Sequence, residues 1–101
     1  MINIEPDIKN CKDILEQYKR METDENPEAA FKLSQLALSM YDRLNEIRLY
    51  VSTANKQELG EYTKTELKEY LRSKMKVMEY VHIESKHIFL AVKEDKKFTR
   101  Y

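Results

Sequence analysis

Two Glu-x-x-His pairs stand close together, Glu79 with His82 and Glu84 with His87. In carboxylate-bridged di-metal bundles, that motif supplies a carboxylate and an imidazole from adjacent helical turns. One copy comes from each of two helices, and two further helices each add a Glu. Here both copies fall on one predicted helix, five residues apart and therefore on different faces. The seam positions of the other helices are Ile, Leu, Met, Val, Ala, Cys or Tyr, none a carboxylate, so no ring of supporting carboxylates is expected. No metal and no other cofactor is expected. Nucleophilic chemistry has equally little support. The single cysteine, Cys11, falls on an apolar beat and reads as a buried thiol. Neither histidine has a Ser or Cys partner legible from spacing. One glycine cannot build a phosphate-cradling loop. The expectation is a protein that is not an enzyme and has no small-molecule substrate.

What remains is the chemistry of binding. Lys64, Lys68, Arg72 and Lys76 recur every fourth residue, as a basic stripe on one helix would. Each like-charged step costs a few tenths of a kcal/mol in an isolated helix, and Glu61, Glu69 and Glu79 offset this only in part. Arg43, Arg48, Tyr50, Tyr62 and Tyr70 belong to the same end of the predicted hairpin. Cations among aromatics suit phosphate contact and base stacking. They equally suit a protein interface, where Tyr and Arg are frequent anchors. The candidate binding set is Arg48, Tyr50, Tyr62, Lys64, Lys68, Tyr70, Arg72 and Lys76. A protein partner or a second copy is the first reading, nucleic acid the alternative, and an ordinary solvated face the bland one.

The elements that position these residues are set by an apolar beat. Leu33, Ala37, Met40, Leu44, Ile47, Val51 and Ala54 alternate steps of four and three, which holds one seam of a helix against a neighbour. Asn26, Pro27 and Glu28 read as N-cap, first helical residue and first-turn acid. The helix they open is predicted to reach about Leu59, with a doubtful stretch at Ser52 to Asn55, before Gly60 ends it. A shorter helix from about Pro6 to Met21 precedes it, with a seam of Ile4, Ile8, Cys11, Leu15 and Tyr18, and then a polar loop from Thr23 to Asn26. Thr63 and Glu66 form a capping-box pattern that opens a third helix, predicted to end at Val92 or Lys93. Its seam is Leu67, Leu71, Lys74, Met78, Val81, Ser85, Ile88 and Val92. The expected fold is all-α, a long antiparallel hairpin with a shorter N-terminal helix. It is read as one domain over residues 1–93 with a charged tail at 94–101.

Lengths suggest more. A first helix of about 24 Å beside partners of about 45–50 Å leaves the far end of the hairpin covered by no third helix. Tyr80, Ile83 and Leu90 form a second apolar stripe on the third helix, as a face packed against the first helix would. A bare two-helix tip with Leu49, Leu59 and Met75 close by would be buried by pairing with a second copy, so a homodimer is expected. The competing reading for residues 80–92 is a strand pair, but Glu84, Ser85 and Lys86 lack the Gly or Asn of a tight turn.

Charge is zero overall but polarised: residues 1–30 carry four Lys/Arg against eight Asp/Glu, and residues 61–101 carry ten against seven. The longest uncharged run, Leu33 to Tyr41, is nine residues, too short to span a bilayer. The first residues lack a basic stretch followed by an apolar run, so no secretory leader, no membrane association and a cytoplasmic location are expected. A circular dichroism spectrum should show helix content above roughly three-quarters. A spectrum dominated by sheet would contradict the seam reading.

Overall fold

The computed structural model describes residues 3–24 and 26–98, with side chains described over 3–21 and 26–91. The elements are α1 (Glu5–Asp24), α2 (Pro27–Thr53), a single turn α3 (Lys56–Leu59) and α4 (Lys64–Phe98). No strand occurs among the described residues, and 80–92 is continuous helix. The architecture is the expected one: α2 and α4 form a long antiparallel hairpin, with α1 laid against both.

Side-chain caps set most boundaries. Asn26 is extended (φ −80°, ψ 115°), and its Oδ1 accepts from the amides of Glu28 at 3.0 Å and Ala29 at 3.3 Å. Thr63 Oγ1 accepts from the Glu66 amide at 3.2 Å. The predicted second helix is broken near its end. Ala54 turns extended, and Asn55 opens α3 with a reciprocal capping box to Glu58. An Asn with Glu three residues later competes with helix continuation because its side chain satisfies amides that a new first turn leaves orphaned. Gly60 closes α3 at φ 63°, a conformation a β-carbon would oppose. α4 runs to Phe98 instead of stopping at Val92 or Lys93, so the charged segment after residue 93 begins as helix. The side chain of Val92 and residues 99–101 lie outside the described residues.

Four cross-helix contacts fix the registers. Ser34 meets His82 and Ser52 meets Lys64, so eighteen residues forward on α2 correspond to eighteen back on α4. Tyr18 packs edge-on against Tyr80, with centroids 5.8 Å apart and planes at 78°. Ten residues earlier on both helices, Ile8 and Tyr70 share the wall of one cavity, so α1 and α4 run parallel. Asp7 pairs with Arg43 at 3.3 Å, tying the start of α1 to the middle of α2.

These registers change the expected shape at both ends. α1 begins one residue earlier than predicted, with Asn3 Oδ1 accepting from the Glu5 amide at 3.1 Å, and extends to Asp24. Its twenty residues cover about 30 Å. Ile4 therefore lies beside Ile47 and Tyr50 on one side and Tyr62 and Tyr70 on the other. The hairpin's far end is thus not bare. Val51, Ala54, Leu59 and Leu67 are all no more than 3% exposed, because Leu59 folds back from the α3 turn onto the seam. The overhang is at the opposite end: the α2–α4 register sets Pro27 level with Phe89, and α4 continues past it to Phe98.

Every position of the central beat from Leu33 to Ala54 is buried, none more than 7% exposed. On α4, Leu67, Leu71, Met78, Val81 and Ser85 are buried as expected. Lys74 is half-buried, its Nζ 5.4 Å from the centre of the Tyr70 ring. The second stripe is only partly used: Tyr80 meets Tyr18, whereas Ile83 and Leu90 are 40% and 41% exposed. Met75 is buried within the chain, and Leu49 faces solvent.

Leu44 is wholly buried, so Leu44→Ala should cost about 2–4 kcal/mol through lost transfer and a residual cavity. Ser85 is also wholly buried, and its Oγ has no hydrogen-bond partner. Removing an unsatisfied hydroxyl should therefore leave Ser85→Ala as stable as the parent or up to about 1 kcal/mol more so. Denaturant melts of both variants check this pair, and a loss at Ser85→Ala would reveal a hydroxyl contact. Burial also pushes the Cys11 thiol above its ordinary value of 9.0, with Lys74 opposing the shift. A thiol harder to ionise in the fold than in the unfolded chain stabilises below about pH 9 and loses that contribution as pH rises through the folded value. The parent should lose more stability than Cys11→Ala in melts taken on either side of pH 9.

Candidate docking face

The eight residues of the candidate binding set fall in four places. Tyr62 and Tyr70 line a cavity of about 450 Å³ beside α1, with Ile4, Ile8, Lys9 and Lys12. Tyr50 lies on the other flank of α1, near Asp7 and Arg43, in a cavity of about 370 Å³. Its phenol donates to the Glu58 carboxylate, which holds Tyr50 above the usual tyrosine range. The basic run itself does not stay on one stripe. Four residues advance an α-helix by slightly more than one turn, about 40° too far, so Lys64 to Lys76 drifts by about 120°. Lys64 and Lys68 share the α2–α4 face opposite α1, with Arg48 beside them; Arg72, two heptads before Lys86, edges the same side of α4, whereas Lys76 lies further round. Arg48, Lys64 and Lys68 are thus brought together with Arg72 at the edge, and Tyr50, Tyr62, Tyr70 and Lys76 are not.

The face opposite α1 is the most distinctive surface of the described molecule. Its register is set by Ser52 and Lys64 at one end and Ser34 and His82 at the other. The α2–α4 register also places Arg48 level with Lys68, both half-buried. Arg48 donates to Asn45 Oδ1 through Nε at 3.3 Å and Nη2 at 3.0 Å, which holds its guanidinium along the helix. Lys64 Nζ donates to the Ser52 carbonyl at 3.3 Å, over the end of α2. A helix's last carbonyls lack intrahelical donors, so a lysine is favourable there.

Towards the other end the face becomes apolar. Phe31 and Phe89 stack across the two helices at 5.3 Å, with planes tilted by 50°. Leu38 and Leu90 stand 40% and 41% exposed beside them. Together with Ser34 and His82 they surround a cavity of about 240 Å³ that opens on this face, with Lys86 at its rim.

The Ser34–His82 contact was not legible from spacing, because the two residues are forty-eight positions apart. Only the antiparallel register brings them together, and counting equal steps away from the hairpin's turn was the one available signal. His82 Nδ1 is 2.8 Å from the Ser34 carbonyl oxygen and 2.9 Å from Ser34 Oγ. A carbonyl oxygen only accepts, so Nδ1 carries the proton and donates. Ser34 Oγ in turn donates to the His82 carbonyl at 3.2 Å. The imidazole therefore turns no lone pair towards the serine. The contact is a reciprocal staple between two helices and not a nucleophile–base pair. Ser34 itself is only 3% exposed.

No three of His, Cys, Asp and Glu converge as a metal site would require, among the described residues. The ion pairs given for these residues join Arg20 to Glu16 and Arg43 to Asp7 and Glu46, all on α1 or its border with α2. None lies on the face opposite α1. No helix among the described residues is long and apolar enough to cross a membrane.

Long-range ¹H–¹⁵N spectra of His82 should show the neutral ring protonated at Nδ1. A neutral ring protonated at Nε2 would contradict the staple. No known protein family, no curated protein and no solved structure matches this chain.

Proposed function

We propose that this protein is a non-enzymatic helical interaction module that docks through the α2–α4 face opposite α1. The observation that carries this reading is the coverage of the hairpin on one side only. α1 occupies one groove between α2 and α4, while the other groove exposes Phe31, Leu38 and Leu90 around a cavity of about 240 Å³. Apolar side chains gathered in a concave strip with a polar rim mark a protein contact more than a solvated face. Leu36 and Leu49 are also exposed, but they lie away from this strip, and single exposed leucines are ordinary. The original ground for a homodimer, a bare tip, is gone, because Val51, Ala54, Leu59 and Met75 are buried within one chain and only Leu49 of the residues named there is exposed. Pairing through the α2–α4 face remains one form the docking takes under this reading.

The alternative, nucleic acid contact, is supported by Arg48, Lys64 and Lys68 on one surface with no ion pair among the described residues. The departure of Lys76 from that surface, and the carboxylates of Asp42 and Glu79 beside it, weaken it.

The test compares proteins retained by the parent chain and by Leu38→Glu in extracts of the native host, with and without nuclease. Docking predicts a specific partner, or a second copy, retained by the parent and lost with Leu38→Glu whatever the nuclease treatment. Retention that survives Leu38→Glu but vanishes with nuclease would replace this reading with the nucleic acid one.

A further inference from the structure

We infer that the occupant of the α2–α4 face is an acidic amphipathic helix from a different protein, lying along the groove opposite α1. This rests on the docking reading above and adds the partner's chemistry to it.

Three observations carry the inference. The first is shape. Two antiparallel helices packed on α1 along one groove present a second groove on the other side, and one more helix there completes a four-helix arrangement. From Phe31 to Ser52 this groove is about 30 Å long, enough for a helix of about three heptads. The cavity between Phe31, Leu38, Phe89 and Leu90, about 240 Å³, is of a size to receive large apolar side chains from such a helix.

The second is charge. Arg48, Lys64, Lys68 and Lys86 follow the groove from end to end, and none of them is in an ion pair among the described residues. Carboxylates also border it, Asp42 on the α2 side, Glu79 one heptad before Lys86 on the α4 side, and Glu28 beside Phe31 and Phe89 at the apolar end, all exposed, but the cations outnumber them. A partner with carboxylates flanking an apolar seam complements this pattern, and one with lysines there is repelled.

The third sets the nearest rivals at a disadvantage by the same geometry. A second copy placed face to face about a two-fold axis sets the Arg48–Lys68 end of one groove against the Lys86 end of the other, cation against cation. For nucleic acid, the two rings of the apolar end are engaged with each other at 5.3 Å and do not offer flat platforms for bases.

The experiment uses the full chain and two synthetic helices about three heptads long. Both carry Leu at the first and fourth heptad positions. One has Glu at the flanking positions and the other has Lys, and binding is followed by fluorescence anisotropy. The acidic helix should bind, weaken at least about tenfold with Leu38→Glu, and weaken again as salt is raised. Lys86→Glu should also weaken it, and the lysine helix should bind at least about tenfold more weakly than the acidic one. Leu38 and Lys86 are exposed, so both variants should retain the parent's helical spectrum and melting behaviour, which is measured in parallel.

Equal binding of the two helices, both lost with Leu38→Glu, would overturn the acidic partner and leave the docking reading intact. A parent that forms dimers by light scattering, disrupted by Leu38→Glu, would overturn it in favour of a second copy. Duplex DNA bound by the parent and lost with Lys64→Glu and Lys68→Glu, where neither helix binds, would overturn both readings. So would the absence of any association sensitive to Leu38→Glu.

Discussion

Everything in this molecule hangs on one helix–helix seam. The seven apolar residues from Leu33 to Ala54 pack against Leu67, Leu71, Met78 and Val81, and no other pair of elements buries as much of the core. A beat of alternating fours and threes keeps the seam in line only if the two helices stay nearly parallel in axis over their whole contact. Apolar packing alone selects a register weakly, since sliding α2 by a heptad replaces each seam residue from Leu33 to Ile47 with another apolar one. Polar contacts supply the selection. The Ser34–His82 staple is a reciprocal pair that only one alignment satisfies, and Lys64 over the last turn of α2 repeats that alignment at the other end. In a half-buried setting, slipping the register would leave these groups unpaired, which costs more than the bonds themselves contribute.

The position of α1 follows from that register, and the open face follows from α1. A hairpin of two helices has two long grooves, and this chain has one further long helix to place. α1 carries its apolar residues Ile4, Cys11, Ile14, Tyr18 and Met21 into one groove, and the Asp7–Arg43 pair and the Tyr18–Tyr80 contact fix its height. The opposite groove keeps its cations, its paired phenylalanines and its exposed leucines. The surface that the functional proposal depends on is therefore a consequence of helix count and packing.

Much of this was legible in the chain. The central beat, the Asn26 cap, the start signal at Thr63 and the burial of Cys11 are local patterns, and local patterns survive into the fold because packing agrees with them. Ser85 was placed on the α4 seam, and it is buried there with its hydroxyl unpaired. Misreadings came from lengths and long-range pairings. The first helix was expected to be shorter than α1 because the Asn3 cap and the last turn to Asp24 were not credited. That error made the tip look bare. The Asn55–Glu58 box was overlooked, so the turn that brings Leu59 onto the seam was missed. The basic run was taken as one stripe because spacing by four resembles one turn, yet the accumulated drift separates Lys64 from Lys76. The apolar end of the docking face could not be read locally at all, since Phe31 and Phe89 meet only through the hairpin register.

One-sided coverage of the hairpin is the claim on which both the fold description and the function depend. Methyl relaxation of the full chain with a soluble paramagnetic agent, at a concentration where light scattering gives the 12.2 kDa monomer, measures it directly. Leu38 and Leu90 should relax strongly, while Leu44, Val51 and Leu59 stay shielded as core residues. Shielding of Leu38 and Leu90 to the level of Leu44 would mean that the face is closed within the chain, and strong relaxation of Val51 and Leu59 would mean that the tip is open instead; either result contradicts the account.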